Sequence, residues 1–191
     1  GADLVFGTVL LPVLNGEYAV LELVSGCLQD DGKILVTFGY RTAGGGRSLL
    51  VRLTADGKLD PSFGENGVVT VQSDDHGILL KSVLVRDDKK IIVGGTSDQR
   101  LILACYTRDG KIDHSFADEG FAIYSHPIGP LNMRKLVAQA DGKLVCAGAV
   151  NVGGAVTEGF VLRFNANGGA DATFNRAIPV VTDFRKAILW N

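Results

Sequence analysis

Three histidines, three cysteines and a set of regularly placed aspartates are the residues that could carry chemistry in this chain. His76, His114 and His126 share no His-x-x-x-His or His-Cys spacing, so they read as exposed turn residues and not as zinc ligands. Cys27, Cys105 and Cys146 cannot all pair with one another, and none lies in a Cys-x-x-Cys motif. They read as small buried hydrophobes. Asp60, Asp113 and Asp171 are each followed two residues on by Ser62, Ser115 or Thr173, the pattern of an aspartate closing a turn against its own backbone. Gly44-Gly45-Gly46 and Gly153-Gly154 lack the Gly-Lys-Ser/Thr sequence that opens a phosphate-binding helix, and are expected at hairpin tips. The cations Arg41, Arg47, Arg52, Lys81, Lys89, Lys90, Arg134 and Lys135 are spread among acids, as on a solvated surface. No catalytic, cofactor-binding or metal-binding residue is assigned.

The elements that hold these residues repeat. One block reads Asp30-Asp31-Gly32-Lys33-Ile34-Leu35-Val36, then Asp87-Asp88-Lys89-Lys90-Ile91-Ile92-Val93, then Ala140-Asp141-Gly142-Lys143-Leu144-Val145-Cys146. A second reads Asp56-Gly57-Lys58-Leu59-Asp60-Pro61-Ser62-Phe63, then Asp109-Gly110-Lys111-Ile112-Asp113-His114-Ser115-Phe116, and more weakly Asn167 to Phe174. Each second-block Phe precedes the next first-block Lys by 27 residues (Phe63 to Lys90, Phe116 to Lys143). Counting 27 back from Lys33 lands on Phe6, inside a worn copy of the same block. Length varies only between the first block and the second, as expected for one exposed hairpin per unit.

Each unit carries four short runs of Val, Ile and Leu bounded by turn residues. In the second unit they are 78–85, 90–95, 101–106 and 120–125. Asp-Gly and Asn-Gly pairs supply the positive-φ positions of tight hairpins. Sustained helical periodicity is missing. The expected fold is therefore all-β: a β-propeller or propeller-like array of four-stranded antiparallel blades, about three of them. The units span approximately 16–72, 73–125 and 126–182 of one repeat domain. Phe63, Phe116 and Phe174 would be aromatic plugs between neighbouring blades.

Together the two blocks resemble the Delta-60 repeat of bacterial proteins and, more distantly, NHL-type propeller blades. The family pattern places Arg four residues before the second block's first Asp; Arg52 and Arg163 fit, whereas Cys105 departs. Asp88-Lys89-Lys90 also lacks the family's turn Gly. The resemblance implies a propeller scaffold, often exported to the bacterial surface or cell envelope, with no shared catalytic activity.

Six-bladed lactonase-type propellers hold a metal in the channel, which needs carboxylates at one position of several blades. Here the aligned sets are Glu17, Asp74 and Pro127, and Tyr18, Asp75 and Ile128, so no ligand ring emerges. Propellers close with roughly four to eight blades. Three whole blades cannot close alone, so further copies or a homo-oligomer completing a ring are expected.

A net charge of −2 lacks the basic stripe that nucleic acid requires. No apolar run approaches the roughly 20 residues of a membrane helix. Gly1-Ala2-Asp3 has no basic leader region. With 25 glycines in 191 residues, the chain is rich in tight turns. The expected function is non-enzymatic: a scaffold or binding module for a protein or carbohydrate partner, without cofactor. A metal-dependent hydrolase completed by other blades and a structural spacer on a surface protein are the alternatives. Tyr18, Tyr40, Tyr124 and Trp190 are the aromatics that such a binding face could use.

Overall fold

A computed structural model of the chain describes residues 22–42, 45–73, 76–126, 129–153 and 156–182. Phe6, Glu17, Tyr18, Gly44, Asp74, Asp75, Pro127, Ile128, Gly154 and Trp190 lie outside them.

Three antiparallel sheets follow one another along the chain. The first contains β1 (Glu22–Leu28), β2 (Ile34–Thr42), β3 (Gly45–Leu53) and β4 (Val68–Ser73), and ends in a two-residue strand, β5 (His76–Gly77). The second runs β6 (Leu79–Val85), β7 (Ile91–Ser97), β8 (Arg100–Tyr106) and β9 (Phe121–Tyr124). The third runs β10 (Leu131–Ala138), β11 (Leu144–Gly153), β12 (Val156–Phe164) and β13 (Val180–Thr182). Spatial order equals chain order in every sheet. The fifth strand was not anticipated: His76 belongs to β5, which folds back on β4 through Gln72↔Gly77.

The core lies between the sheets. Side chains alternate across a strand, so β8 sends Leu101, Leu103 and Cys105 into one apolar cluster with the third sheet. It sends Ile102, Ala104 and Tyr106 into another with the first. A strand buried on both faces reads as a continuous apolar run and not as an alternation, and β8 is buried from Leu101 to Tyr106. The innermost strands β1, β6 and β10 stand side by side.

Each inner strand carries a β-bulge at the same point of the repeat. Pairing with the second strand shifts between Leu23 and Ser25, between Leu80 and Ser82, and between Met133 and Lys135. The extra residue (Val24, Lys81, Arg134) breaks the two-residue rhythm, and the strand bends and twists there. Opposite two of these bulges the backbones come so close that only glycine fits. A Cβ at Gly95 would collide with the Leu79 carbonyl, and one at Gly148 with the Asn132 carbonyl.

Candidate functional site

The first-block turns fold alike. Asp31, Asp88 and Asp141 each accept from the backbone N–H two residues on, at 3.3, 3.2 and 3.1 Å. Gly32 and Gly142 take positive φ, and Lys89 adopts φ 67° in their place. The turn without glycine is as tight as the others: Lys89 N–H donates to the Arg86 carbonyl at 2.9 Å.

This turn delivers Lys33, Lys90 and Lys143 to the aspartates of the second block. Lys33 Nζ lies 2.9 Å from Asp60, Lys90 Nζ 2.6 Å from Asp113, and Lys143 Nζ 3.0 Å from Asp171. The other carboxylate oxygen of each Asp accepts from the backbone N–H and hydroxyl of Ser62, Ser115 or Thr173. These carboxyls are held well below the usual carboxylate range. For Asp60, burial opposes ionisation but is outweighed by hydrogen bonds from Ser62 and Lys33. For Asp113 the Lys90 hydrogen bond leads, and for Asp171 that of Thr173.

Arginine completes the bracket in two blades. Arg52 Nε meets Asp60 at 2.9 Å and its guanidinium lies 4.5 Å over the Phe63 ring. Arg163 repeats this on Asp171 at 2.7 Å, and over Phe174 at 4.8 Å. Arg52 is 3% exposed, so it belongs to the interior and not to the solvated surface expected for it. It also donates through Nη1 to the Arg108 carbonyl of the next blade. In the second blade Cys105 occupies this place, and Arg86, from the preceding turn, takes over the equivalent bond, donating to the Ala166 carbonyl at 2.6 Å. A cavity of about 250 Å³ remains beside Cys105.

The bracket also joins blades. Gly64 N–H donates to the Asp109 carbonyl at 2.9 Å, and Ala117 N–H to that of Asn167 at 2.7 Å. Phe63 and Phe116 are buried against the second-block turns of the following blades, where a Cβ at Gly110 or Gly168 would sit within 2.8 Å of the rings. Phe174 is only half-buried. Asp56 and Asp109 sit in the same turns, each paired with the lysine two residues on, Lys58 or Lys111. Gly57, also at positive φ, has open space around it among the described residues. Paired, fully hydrogen-bonded carboxylates held ionised are poor acid catalysts. Their chemistry is cohesion.

A family profile described as "Domain of unknown function (DUF5122) beta-propeller" matches residues 29–63, 86–116 and 139–174, which are the stretches bearing these brackets. This chain belongs to the DUF5122 beta-propeller family. No curated protein matches it. Among solved structures it is similar to a protein of unknown function from Bacteroides caccae, at 10% identity and a TM-score of 0.39, over 86% of this chain and 69% of that one.

Every DUF5122 match ends on a second-block Phe, and the gaps between matches, 64–85 and 117–138, hold the outer strand, the blade connection and the next inner strand. Because strands alternate in direction, the two block turns of each blade share one end. The β2–β3, β7–β8 and β11–β12 hairpins share the other with the connections between blades. At this loop end a cleft of about 340 Å³ opens between blades two and three, lined by Leu79, Thr96, Ser97, Asp98, Gln99 and Asn132 among others. Asp98 and Gln99 form the hairpin tip at φ 46° and 67°. For Gln, with no short side chain to bond locally, this conformation is strained. The Gln99 carbonyl accepts from Leu131 N–H at 3.0 Å and pins the tip to blade three. Ser97 Oγ is buried without a hydrogen-bond partner among the described residues.

A larger cavity, about 700 Å³, lies at the opposite end, between the inner strands and the first-block turns of blades two and three. Two of its turn residues are already engaged: Arg86 pairs with Asp88 at 3.0 Å and bonds Ala166.

Of the histidines, His114 is exposed, 2.8 Å from Glu119. His126 is half-buried and stacked on Tyr124 at 6.3 Å, not exposed as expected, and burial lowers its pKa. Tyr124 itself packs edge-on against Phe164 at 6.2 Å, so it is no open binding aromatic. Burial pushes the thiols of Cys105 and Cys146 up to about 12, and raises that of Cys27. No group of three or more His, Cys, Asp or Glu that could hold a metal occurs among the described residues. No helix among them is long and apolar enough to cross a membrane. The sequence reading missed Ser97, Gln99 and Asn132. The one available signal was the Asp98-Gln99 pair, a glycine-free tip in a chain that otherwise uses glycine freely.

Proposed function

We propose that this DUF5122 chain is a non-enzymatic β-propeller scaffold whose loop end binds a protein or a glycan. The observation that carries this is the cleft between blades two and three, with Ser97 Oγ left without a partner among the described residues at its wall. A buried hydroxyl without a partner costs about 1–3 kcal/mol, a cost that a ligand bond would recover. Strained backbone at Gln99 points the same way, since sparsely populated conformations cluster at ligand clamps. The ionised Asp brackets at the far end supply cohesion and no general acid. The finer likeness to Delta-60 repeats, with an exported, surface-located scaffold and no cofactor, forms part of the same proposal.

Glycan-array screening and pull-downs with the intact protein test it, with Ser97→Ala and Gln99→Gly as probes of the cleft. Binding that weakens roughly tenfold in either variant, while the fold is unchanged, supports the assignment. Hydrolase turnover by the purified chain, or binding indifferent to both substitutions, overturns it.

A further inference from the structure

We propose that the loop-end cleft between blades two and three receives a neutral sugar unit, held through its hydroxyl groups. This rests on the loop end being the binding end, and adds the chemical class of what enters it. Four side chains at the wall of the cleft, Thr96, Ser97, Gln99 and Asn132, make no side-chain hydrogen bond among the described residues. Two are hydroxyls and two are primary amides, so each offers a donor and an acceptor together. A sugar hydroxyl has the same double character, and several stand on adjacent carbons of one ring. Ser97 makes the strongest demand, because it is only 5% exposed and a buried hydroxyl needs a partner. The volume of about 340 Å³ lies at the lower end of small-molecule sites, roughly 300–1,000 Å³. It suits one ring at the end of a chain.

The same wall argues against other ligand classes. A peptide added as a strand needs unused main-chain groups, and a side-chain anchor needs an apolar pocket. Here the Gln99 carbonyl is taken by Leu131 N–H at 3.0 Å, and the Pro130 carbonyl by Asn151 N–H at 3.2 Å. Leu79 is held opposite Thr96 in the β6–β7 ladder. Leu131 is 2% exposed and Leu79 half-buried, so no deep apolar pocket opens for an anchor. Neither an aromatic ring nor a cation lines the cleft among the described residues, which leaves nothing to stack a base or neutralise a phosphate. Its one carboxylate, Asp98, is offset by Arg100 at 3.9 Å. Without a ring to stack on, affinity rests on hydrogen bonds exchanged with water, and a millimolar Kd is expected.

NMR titration of the intact, isotope-labelled protein tests this. The probes are the methyl glycosides of glucose, galactose, mannose and N-acetylglucosamine, with that of glucuronic acid as the charged control. At least one neutral glycoside is expected to shift the resonances of Ser97, Gln99 and Asn132 above all others, and to bind more tightly than the glucuronide. Thr96→Val keeps the side chain's shape and removes its hydroxyl, and Asn132→Ala shortens an exposed side chain. Each should weaken that binding at least about fivefold, with circular dichroism unchanged. Shifts centred elsewhere, a glucuronide bound as tightly as any neutral glycoside, or full affinity in either variant overturns the proposal. Silence from all four neutral glycosides overturns it too. The loop-end reading then stands if a protein captured by pull-down still loses binding in Ser97→Ala, and falls as well if none does.

Discussion

Arg86 and Cys105 are one solution to a problem that Arg52 solves differently. Each of the first two blades ties its second-block Asp to a lysine and reaches a carbonyl of the next blade. In blade two the reach starts from the first-block turn and not from the third strand, because the residue before that turn is Arg86, where Gln29 and Gln139 stand in its neighbours. Arg86→Gln should therefore destabilise the protein by about 1.5–3 kcal/mol, the worth of a charged hydrogen bond. The cost should shrink by at least half in a Cys105→Arg background, because the new guanidinium can take over the Ala166 carbonyl. Urea unfolding of the two single variants and the double variant closes the cycle; equal costs in both backgrounds would show that the swap is coincidental. The aspartates set an acid limit. Their folded-state pKa values are depressed, so the stability they contribute is complete above the unfolded-state value near ~3.9 and is lost as pH falls below it. Melting temperature should stay level with respect to these groups from neutral pH to about pH 5, then drop steeply below about pH 4. Asp113→Asn should flatten that drop.

At the scale of the element, the bulge is the feature that repeats without a sequence signature. Val24, Lys81 and Arg134 share no residue type, and what they have in common is their distance from the first-block turn. Only the partner strand betrays the bulge, through Gly95 and Gly148, and there glycine is kept by a backbone collision and not by a turn. Gly95→Ala and Gly148→Ala should each cost at least about 1–3 kcal/mol, the range for overpacked interiors. Gly39→Ala, where the new Cβ would meet Val24 at an ordinary 3.6 Å, should cost less than about 1 kcal/mol. Chemical denaturation of the three variants distinguishes collision from the general intolerance of strands to change.

For the whole molecule, stability resides at the junctions. Each apolar cluster draws on two neighbouring blades, so no blade owns its core, and coupling runs between nearest neighbours as in other repeat arrays. Phe116→Ala removes a ring buried between blades and should cost about 3–5 kcal/mol. Phe174→Ala, at the half-covered face, should cost less than half of that in a monomeric sample. Equal losses would mean that Phe174 works within its own blade and that the junction adds little.

The fold was legible because a propeller blade is written in local chemistry. Asp-Gly pairs dictate tight turns, apolar runs dictate buried strands, and a 27-residue step dictates that the same unit recurs. The aspartates' turn hydrogen bonds to Ser62, Ser115 and Thr173 span two residues, so they too could be read along the chain. What joins blade to blade could not. Arg86 meets Ala166 from 80 positions away, and Arg52 leaves the solvated surface only because Asp60 and the next blade close around it. The loop-end cleft, too, exists only where the Asp98-Gln99 tip is pinned to Leu131 by a backbone bond that no side chain announces. Periodicity determined the blade, and packing across the junctions decided which of its residues hold the molecule together and which remain open to a partner.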